Sequence, residues 1–147
     1  MKTLLKTNDS WSPAIIRVML GMVVFAHGAQ KLLGWFGGYG FEGTMGYFTQ
    51  TVGLPWIVGF AVIMLESLGS LLLIAGFATR FMAVAFTGLG VGILITIHLP
   101  FGFFMNWFGN QGGEGIEFFL LWLAMSASLL ISGGGAYSAD RFISKEN

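Results

Sequence analysis

The chain has 147 residues, of which 10% are charged and 55% are hydrophobic, and its mean hydropathy is +0.78. This composition is typical of a protein that lies largely within a lipid bilayer, not of a soluble domain. The formal net charge is zero, so the chain lacks the basic surface expected of a nucleic-acid-binding protein. Cysteine is absent, which excludes disulfides, thiol redox chemistry and thiolate metal ligands.

Four apolar segments are each close to the ~20 residues that a helix needs to cross the hydrocarbon core. They cover residues 13–34, 55–77, 81–99 and 115–132. Pro13 and Pro55 occupy the first turn of a predicted helix, where proline is tolerated, and Pro100 follows the end of the third. The sequence therefore predicts an all-α integral membrane protein, with residues 1–147 forming a single four-transmembrane-helix bundle. The glycine-rich segment 34–43 is predicted to be a flexible loop, because it lacks the Walker pattern.

The basic residues predict the orientation of these helices. Six of the seven lie in or near the N-terminal segment, in the turn between spans two and three, or in the C-terminal segment: Lys2, Lys6, Arg17, Arg80, Arg141 and Lys145. Only Lys31 lies toward the opposite end of the predicted spans. The positive-inside rule then predicts a multi-pass protein of the inner cell membrane with both termini in the cytoplasm. A cleaved signal peptide is the alternative reading of the N-terminus, but Arg17 interrupts its apolar region.

A weak internal repeat agrees with this layout. Trp35-Phe36-Gly37 follows the first span and Trp107-Phe108-Gly109 follows the third, each eight or nine residues after a histidine, His27 or His98. Two helix pairs that run in the same sense are consistent with a parallel repeat about an axis along the membrane normal. Chance recurrence is the alternative in a chain with 15 Phe and 23 Gly.

Glu66 is the only charged residue in the second predicted span. An acidic side chain at the centre of a bilayer costs roughly 2.5–3.5 kcal/mol even on the most permissive insertion scale, so it needs a partner or a proton. It cannot reach the interface from the middle of the helix. Glu66 is therefore predicted to belong to a functional site.

Other ionisable residues are predicted to lie near Glu66. Arg17, His27 and Lys31 fall within an arc of about 80° on the first helix, and His98 lies near the end of the third span. Together these positions predict a polar pocket in the outer half of the membrane. Its predicted catalytic residues are Glu66, His27 and Lys31, and its predicted ligand-binding residues are Arg17, His98, Glu114, Glu117, Trp35 and Trp107.

Most of these residues also have a structural explanation. Arg17 and Lys31 could extend to the interfaces, and Arg17 could instead pair with Glu66. His27 could be a core histidine bonded to a carbonyl, and His98 could cap its helix. Glu114 could be solvated, or could be a favourable charge at a helix N-terminus, where Glu117 would be its neighbour three residues on. The small residues of the spans are predicted to permit close helix packing: Gly69, Ser70, Gly76, Gly88, Gly92 and Ser126.

Several short motifs occur in a fixed order: Arg17, His27-Gly28-Ala29-Gln30-Lys31-Leu32, Glu66-Ser67-Leu68-Gly69 with Leu72 and Gly76, and Arg80. In these residues the chain resembles the DoxX family of small four-helix membrane proteins, and the resemblance is weaker after Arg80. The family takes its name from a subunit of an archaeal thiosulfate:quinone oxidoreductase. The resemblance thus implies a membrane protein linked to quinone redox chemistry, although many relatives have no assigned activity.

Three hypotheses follow for the function. The first is a membrane subunit of a quinone-linked oxidoreductase, which binds quinone or a similar small apolar ligand while a redox partner supplies the electrons, because the chain has no flavin, nicotinamide or iron–sulfur motif. The second is a non-catalytic scaffold or assembly factor. The third is a metal or haem site at His27, His98 and the carboxylates, which no ligand-spacing motif supports, so no metal and no bound cofactor are predicted.

Overall fold

The computed structural model describes residue 7 and residues 9–145. Lys2 and Lys6, on which the predicted orientation partly depends, lie outside the described residues. We number the helices α1 to α6 in chain order. Their bounds are Trp11–Leu33, Gly40–Gly46, Trp56–Ala75, Thr79–Phe101, Glu117–Ser132 and Ala139–Lys145.

The predicted helical membrane bundle is confirmed. Helices α1, α3 and α4 have 23, 20 and 23 residues and are long and apolar enough to cross a membrane. Helix α5 is apolar but has only 16 residues. The amides of Gly115 and Ile116 donate to the carbonyls of Phe104 and Gly102, so the chain pairs with its own loop before α5 begins.

Helices α3 and α4 each contain one π-helical turn, at Leu65–Gly69 and Leu94–His98. In α3 the Ser70 hydroxyl donates to the Glu66 carbonyl at 2.6 Å, which satisfies a carbonyl whose helical bonding is altered by the wider turn. Such turns occur frequently at functional sites. Here one turn contains Glu66 and the other ends at His98.

Helices α1 and α3 pack closely because glycine lies at their crossing. A Cβ atom added to Gly28 would lie 2.4 Å from the carbonyl carbon and oxygen of Glu66, so only glycine allows this approach. The buried core lies beside this contact and draws on α1, α3, α4 and α5. It consists of Leu20, Val24, Leu73, Met82, Ala83, Phe86, Phe119, Trp122 and Leu129.

The N-terminal and C-terminal segments contact each other at one end of the bundle. Asp9 pairs with Arg141, and the amides of Gly135 and Ala136 donate to the Thr7 hydroxyl and the Ser10 carbonyl. Both termini therefore lie on the same side. The two longer connections, 34–55 and 102–116, lie at the other end of the long helices.

Arg17 belongs to this terminal end, which corrects its predicted role in the pocket. Its side chain is buried, neither extends to the interface nor pairs with Glu66, and donates to four backbone carbonyls: Ile74, Gly134, Ala136 and Tyr137. A planar guanidinium with five donors suits such a set of acceptors. Arg17 thus connects α1 to the end of α3 and to the chain after α5.

Two other expectations are wrong. The glycine-rich segment predicted to be a flexible loop contains a 3-10 turn, Trp35–Gly37, and the start of α2. Gly88 and Gly92 do not mediate packing, because a Cβ atom at either position would have no neighbour within 4 Å among the described residues. Composition alone does not show which face of a helix turns toward its neighbours.

Candidate functional site

A cavity of about 290 Å³ lies between α1, α3, α4 and α5, toward the end of the bundle opposite the termini. Ten residues line it: His27, Lys31, Glu66, Ile93, His98, Met105, Glu114, Phe118, Phe119 and Trp122. Five of these can carry or exchange a proton, and the other five form an apolar wall. The cavity therefore combines a mainly hydrophobic surface with a few polar groups, as ligand sites commonly do.

An ion pair between Lys31 and Glu66 lies in the cavity wall. Lys31 Nζ donates to Glu66 Oε2 at 2.5 Å. The Glu66 side chain is 3% exposed and that of Lys31 is 24% exposed, so the lysine remains accessible. Lys31 also lines a second cavity of about 500 Å³ beside α2. The carboxylate that the sequence places at mid-membrane thus has a partner on α1.

Both histidines line the same cavity, as the sequence analysis expected. His27 lies one helical turn before Lys31 on α1. His98, at the end of the π-helical turn of α4, has its Nδ1 atom 2.8 Å from the Glu114 carbonyl oxygen. Its ring packs against Phe119 with 4.7 Å between ring centres. His98 therefore contacts the connection before α5, and does not simply cap its own helix.

Glu114 and Glu117 organise the connection 102–116, which covers part of the cavity. Glu114 Oε2 accepts from the amide of Asn106 at 2.5 Å. Glu117 Oε1 accepts from the amide of Met105 at 2.9 Å and from Trp107 Nε1 at 3.1 Å. Each carboxylate thus satisfies backbone donors that a membrane environment would leave without water. Glu114 lines the cavity, whereas Glu117 lies behind it.

The two tryptophans predicted to bind ligand do not line this cavity. Trp35 is 53% exposed and Trp107 is 77% exposed, and neither belongs to the cavity wall. Their two Trp-Phe-Gly segments also differ locally, because Phe36 lies in the left-handed region with φ of 53° and the second segment is not helical. The internal repeat stays a prediction.

Sequence reasoning missed the apolar wall of the cavity. Phe118, Phe119 and Trp122 follow Glu117 at helical spacing, which was a usable signal for one aromatic face of α5. Ile93 gave no such signal within a uniformly apolar span. Met105 comes from an irregular segment, so only the fold brings it to the cavity.

The ionisable residues of the site do not form a metal-binding group. Within residue 7 and residues 9–145, no three His, Asp or Glu side chains converge as metal ligands. The arrangement is instead suited to hydrogen bonding and proton exchange with an organic molecule. Lys31 supplies N–H donors, Glu66 and Glu114 supply acceptors, and an imidazole can do either.

Comparisons with known proteins agree with the architecture. The DoxX family model matches residues 12–99, which include α1, α3 and most of α4. A Bacillus subtilis (strain 168) protein named "Putative oxidoreductase CatD" is 30% identical over 131 residues, covering 89% of this chain and 86% of the relative. No solved structure matches the chain significantly. The chain therefore belongs to the DoxX family, and it is a multi-pass membrane protein of that family.

Proposed function

We propose that the protein is a membrane subunit of a quinone-linked oxidoreductase system and that its cavity binds quinone or a similar small apolar ring compound. The observation that carries this proposal is the Lys31–Glu66 ion pair, which lines an otherwise largely apolar cavity together with two histidines. A purely structural ion pair would not need to face a cavity. The name of the Bacillus subtilis relative describes an oxidoreductase, which supports redox chemistry in general terms.

The chemistry of a quinone matches the residues that line the cavity. Its ring is flat and apolar, while its two oxygens accept hydrogen bonds and take up protons on reduction. Phe118, Phe119 and Trp122 offer apolar and aromatic surface, and Lys31 offers a donor. A volume of about 290 Å³ is at the lower end of the usual range of roughly 300–1,000 Å³ for ligand pockets, so the cavity suits a single substituted ring.

We further propose that a partner protein supplies the electrons and that the membrane is the inner cell membrane. The chain has no cysteine for an iron–sulfur cluster and its sequence contains no nucleotide-binding motif. The excess of basic residues at the terminal end supports cytoplasmic termini. The cavity would then lie in the outer half of the bilayer.

Binding of decylubiquinone to the purified protein tests the proposed site. We expect Glu66→Gln to weaken binding by roughly tenfold to a hundredfold, because Glu66 orients the Lys31 ammonium that would donate to a quinone oxygen, and hydrogen bonds to charged groups contribute about 1.5–3 kcal/mol. Quenching of tryptophan fluorescence measures the affinity, since Trp122 lines the cavity. Glu42→Gln is the matched control: it makes the same chemical change at an exposed position in the first turn of α2, outside the cavity wall.

A second variant separates binding from folding. Removing one member of a buried pair can cost about 3–5 kcal/mol, because the other charge is stranded. The double variant Lys31→Gln with Glu66→Gln strands no charge, so we expect it to fold and yet to bind decylubiquinone weakly. If the double variant binds decylubiquinone as tightly as the parent protein, the proposed ligand site is wrong. The scaffold alternative would then be favoured, with the ion pair serving only to join α1 to α3.

A further inference from the structure

The hydrogen-bond partner of His98 determines which ring nitrogen carries the hydrogen in the neutral imidazole. Its Nδ1 atom lies 2.8 Å from the backbone carbonyl oxygen of Glu114. A carbonyl oxygen can only accept a hydrogen bond, so Nδ1 must carry the hydrogen. In the neutral ring the other nitrogen, Nε2, then has a lone pair and can only accept.

The second nitrogen of this ring is free to meet a ligand. No hydrogen bond to Nε2 occurs within residue 7 and residues 9–145, and His98 lines the cavity with Lys31 and Glu66. The contact with Phe119, at 4.7 Å between ring centres, and the Glu114 carbonyl together restrict rotation of the ring. The cavity wall therefore carries one imidazole acceptor of restricted orientation beside an aromatic side chain.

We infer that His98 makes the cavity select the reduced, dihydroxy form of a ring ligand over its oxidised, dicarbonyl form. The inference rests on the proposed function, since it assumes that a quinone-type ring occupies the cavity. A hydroxyl group of the reduced form donates to Nε2. A carbonyl oxygen of the oxidised form cannot donate a hydrogen bond. It would face Nε2 as a second acceptor, and neither atom would then have a hydrogen-bond donor.

Lys31 does not make this distinction, because it has N–H donors beyond the one that bonds Glu66 and a donor can bind either a carbonyl or a hydroxyl oxygen. The two carboxylates of the cavity are acceptors like Nε2, but each already accepts a hydrogen bond. The remaining groups that face the cavity and can change their protonation are His27, Glu66 and Glu114. The Glu114 carboxylate already accepts from the amide of Asn106, and Glu66 accepts from Lys31.

The affinities of decylubiquinol and decylubiquinone, measured side by side without oxygen, test the inference. We expect the parent protein to bind the quinol roughly 5-fold to 100-fold more tightly, the range expected for one unsatisfied buried group. His98→Gln should bind both forms similarly, because an amide can present either a donor or an acceptor. Glu42→Gln, at an exposed position outside the cavity wall, is the control and should keep the preference.

The protonation form can also be observed without any ligand. The chain has two histidines, so His27→Gln leaves His98 as the sole imidazole, and nitrogen NMR reports which ring nitrogen carries the hydrogen. We expect hydrogen on Nδ1, and a ring protonated on Nε2 would refute the inference. Equal binding of the two ligand forms would contradict the role of His98 but not the proposed function. If neither form binds, the proposed function itself is contradicted.

Discussion

Glu66 is tolerated in the middle of α3 because two residues of α1 are suited to it. Lys31 neutralises the carboxylate, and Gly28 allows the two backbones to approach closely enough for this pair to form. The sequence predicted that Glu66 needs a partner and offered three candidates on the first helix. Only the structure identifies Lys31 as that partner, because Arg17 donates hydrogen bonds to four backbone carbonyls at the other end of α1.

At the residue scale, we predict opposite effects for two glycine-to-alanine changes. Gly28→Ala should destabilise the fold by about 1–3 kcal/mol or more, since the new Cβ atom would meet rigid backbone of α3 at 2.4 Å. Gly88→Ala should be neutral or stabilising by roughly 0.5–1 kcal/mol, because it relieves the entropic disadvantage of glycine in a helix and meets nothing within 4 Å. Thermal unfolding in detergent measures both. An unchanged melting temperature of Gly28→Ala would show that the close approach at Gly28 is not required.

At the element scale, the start of α4 depends on a side chain that is distant in sequence. Ala78 precedes the helix with φ of 50° and has no side chain that could cap it. Asp140, which is 1% exposed, accepts instead from the amides of Ala78 and Thr79 at 2.7 and 2.8 Å. A carboxylate at a helix N-terminus also interacts favourably with the helix dipole. The short helix α6 therefore anchors the tight turn between two membrane helices.

We predict that Asp140→Ala destabilises the protein by at least about 2 kcal/mol, because it removes a cap and leaves one buried and one partly buried amide without an acceptor. Asp9→Ala is the matched control. Asp9 pairs with Arg141 at the surface, where its side chain is 64% exposed, and exposed ion pairs contribute about 0–1 kcal/mol. The melting temperatures of the two variants in the same detergent give the comparison. A larger effect of Asp9→Ala would mean that the pairing of the termini, not the cap, stabilises this end.

At the scale of the whole molecule, the bundle has two chemically different ends. The terminal end is held by Arg17, Asp140 and the Asp9–Arg141 pair. The other end contains the cavity, the ion pair of Lys31 and Glu66, and the connection 102–116. The contacts that join the termini and the candidate chemistry are thus located at opposite ends of the bundle.

The absence of cysteine allows a direct test of the proposed orientation. We predict that Asn110→Cys, in the exposed connection before α5, reacts with a membrane-impermeant maleimide in intact cells, whereas Ser144→Cys, in α6, reacts only after the cells are opened. The parent protein has no thiol and supplies the background signal. The reverse labelling pattern would place the termini outside and the cavity in the inner half of the membrane.

The sequence by itself determined the class of this protein, because membrane insertion depends on the length and hydropathy of local segments. It also determined that Glu66 requires a partner, since the energy of a charge in lipid does not depend on the details of the fold. The positions of His27, Lys31 and His98 toward one end followed from counting residues along each helix.

Tertiary structure alone decided which polar groups meet. The pairing of the residues before α5 with the preceding connection and the capping of α4 by Asp140 each depend on hydrogen bonds between separate segments of the chain. A buried group bonds whichever partner the packing brings within about 3 Å. Arg17 therefore bonds carbonyls of the C-terminal segment, and Met105 reaches the cavity, for reasons that no local pattern in the chain contains.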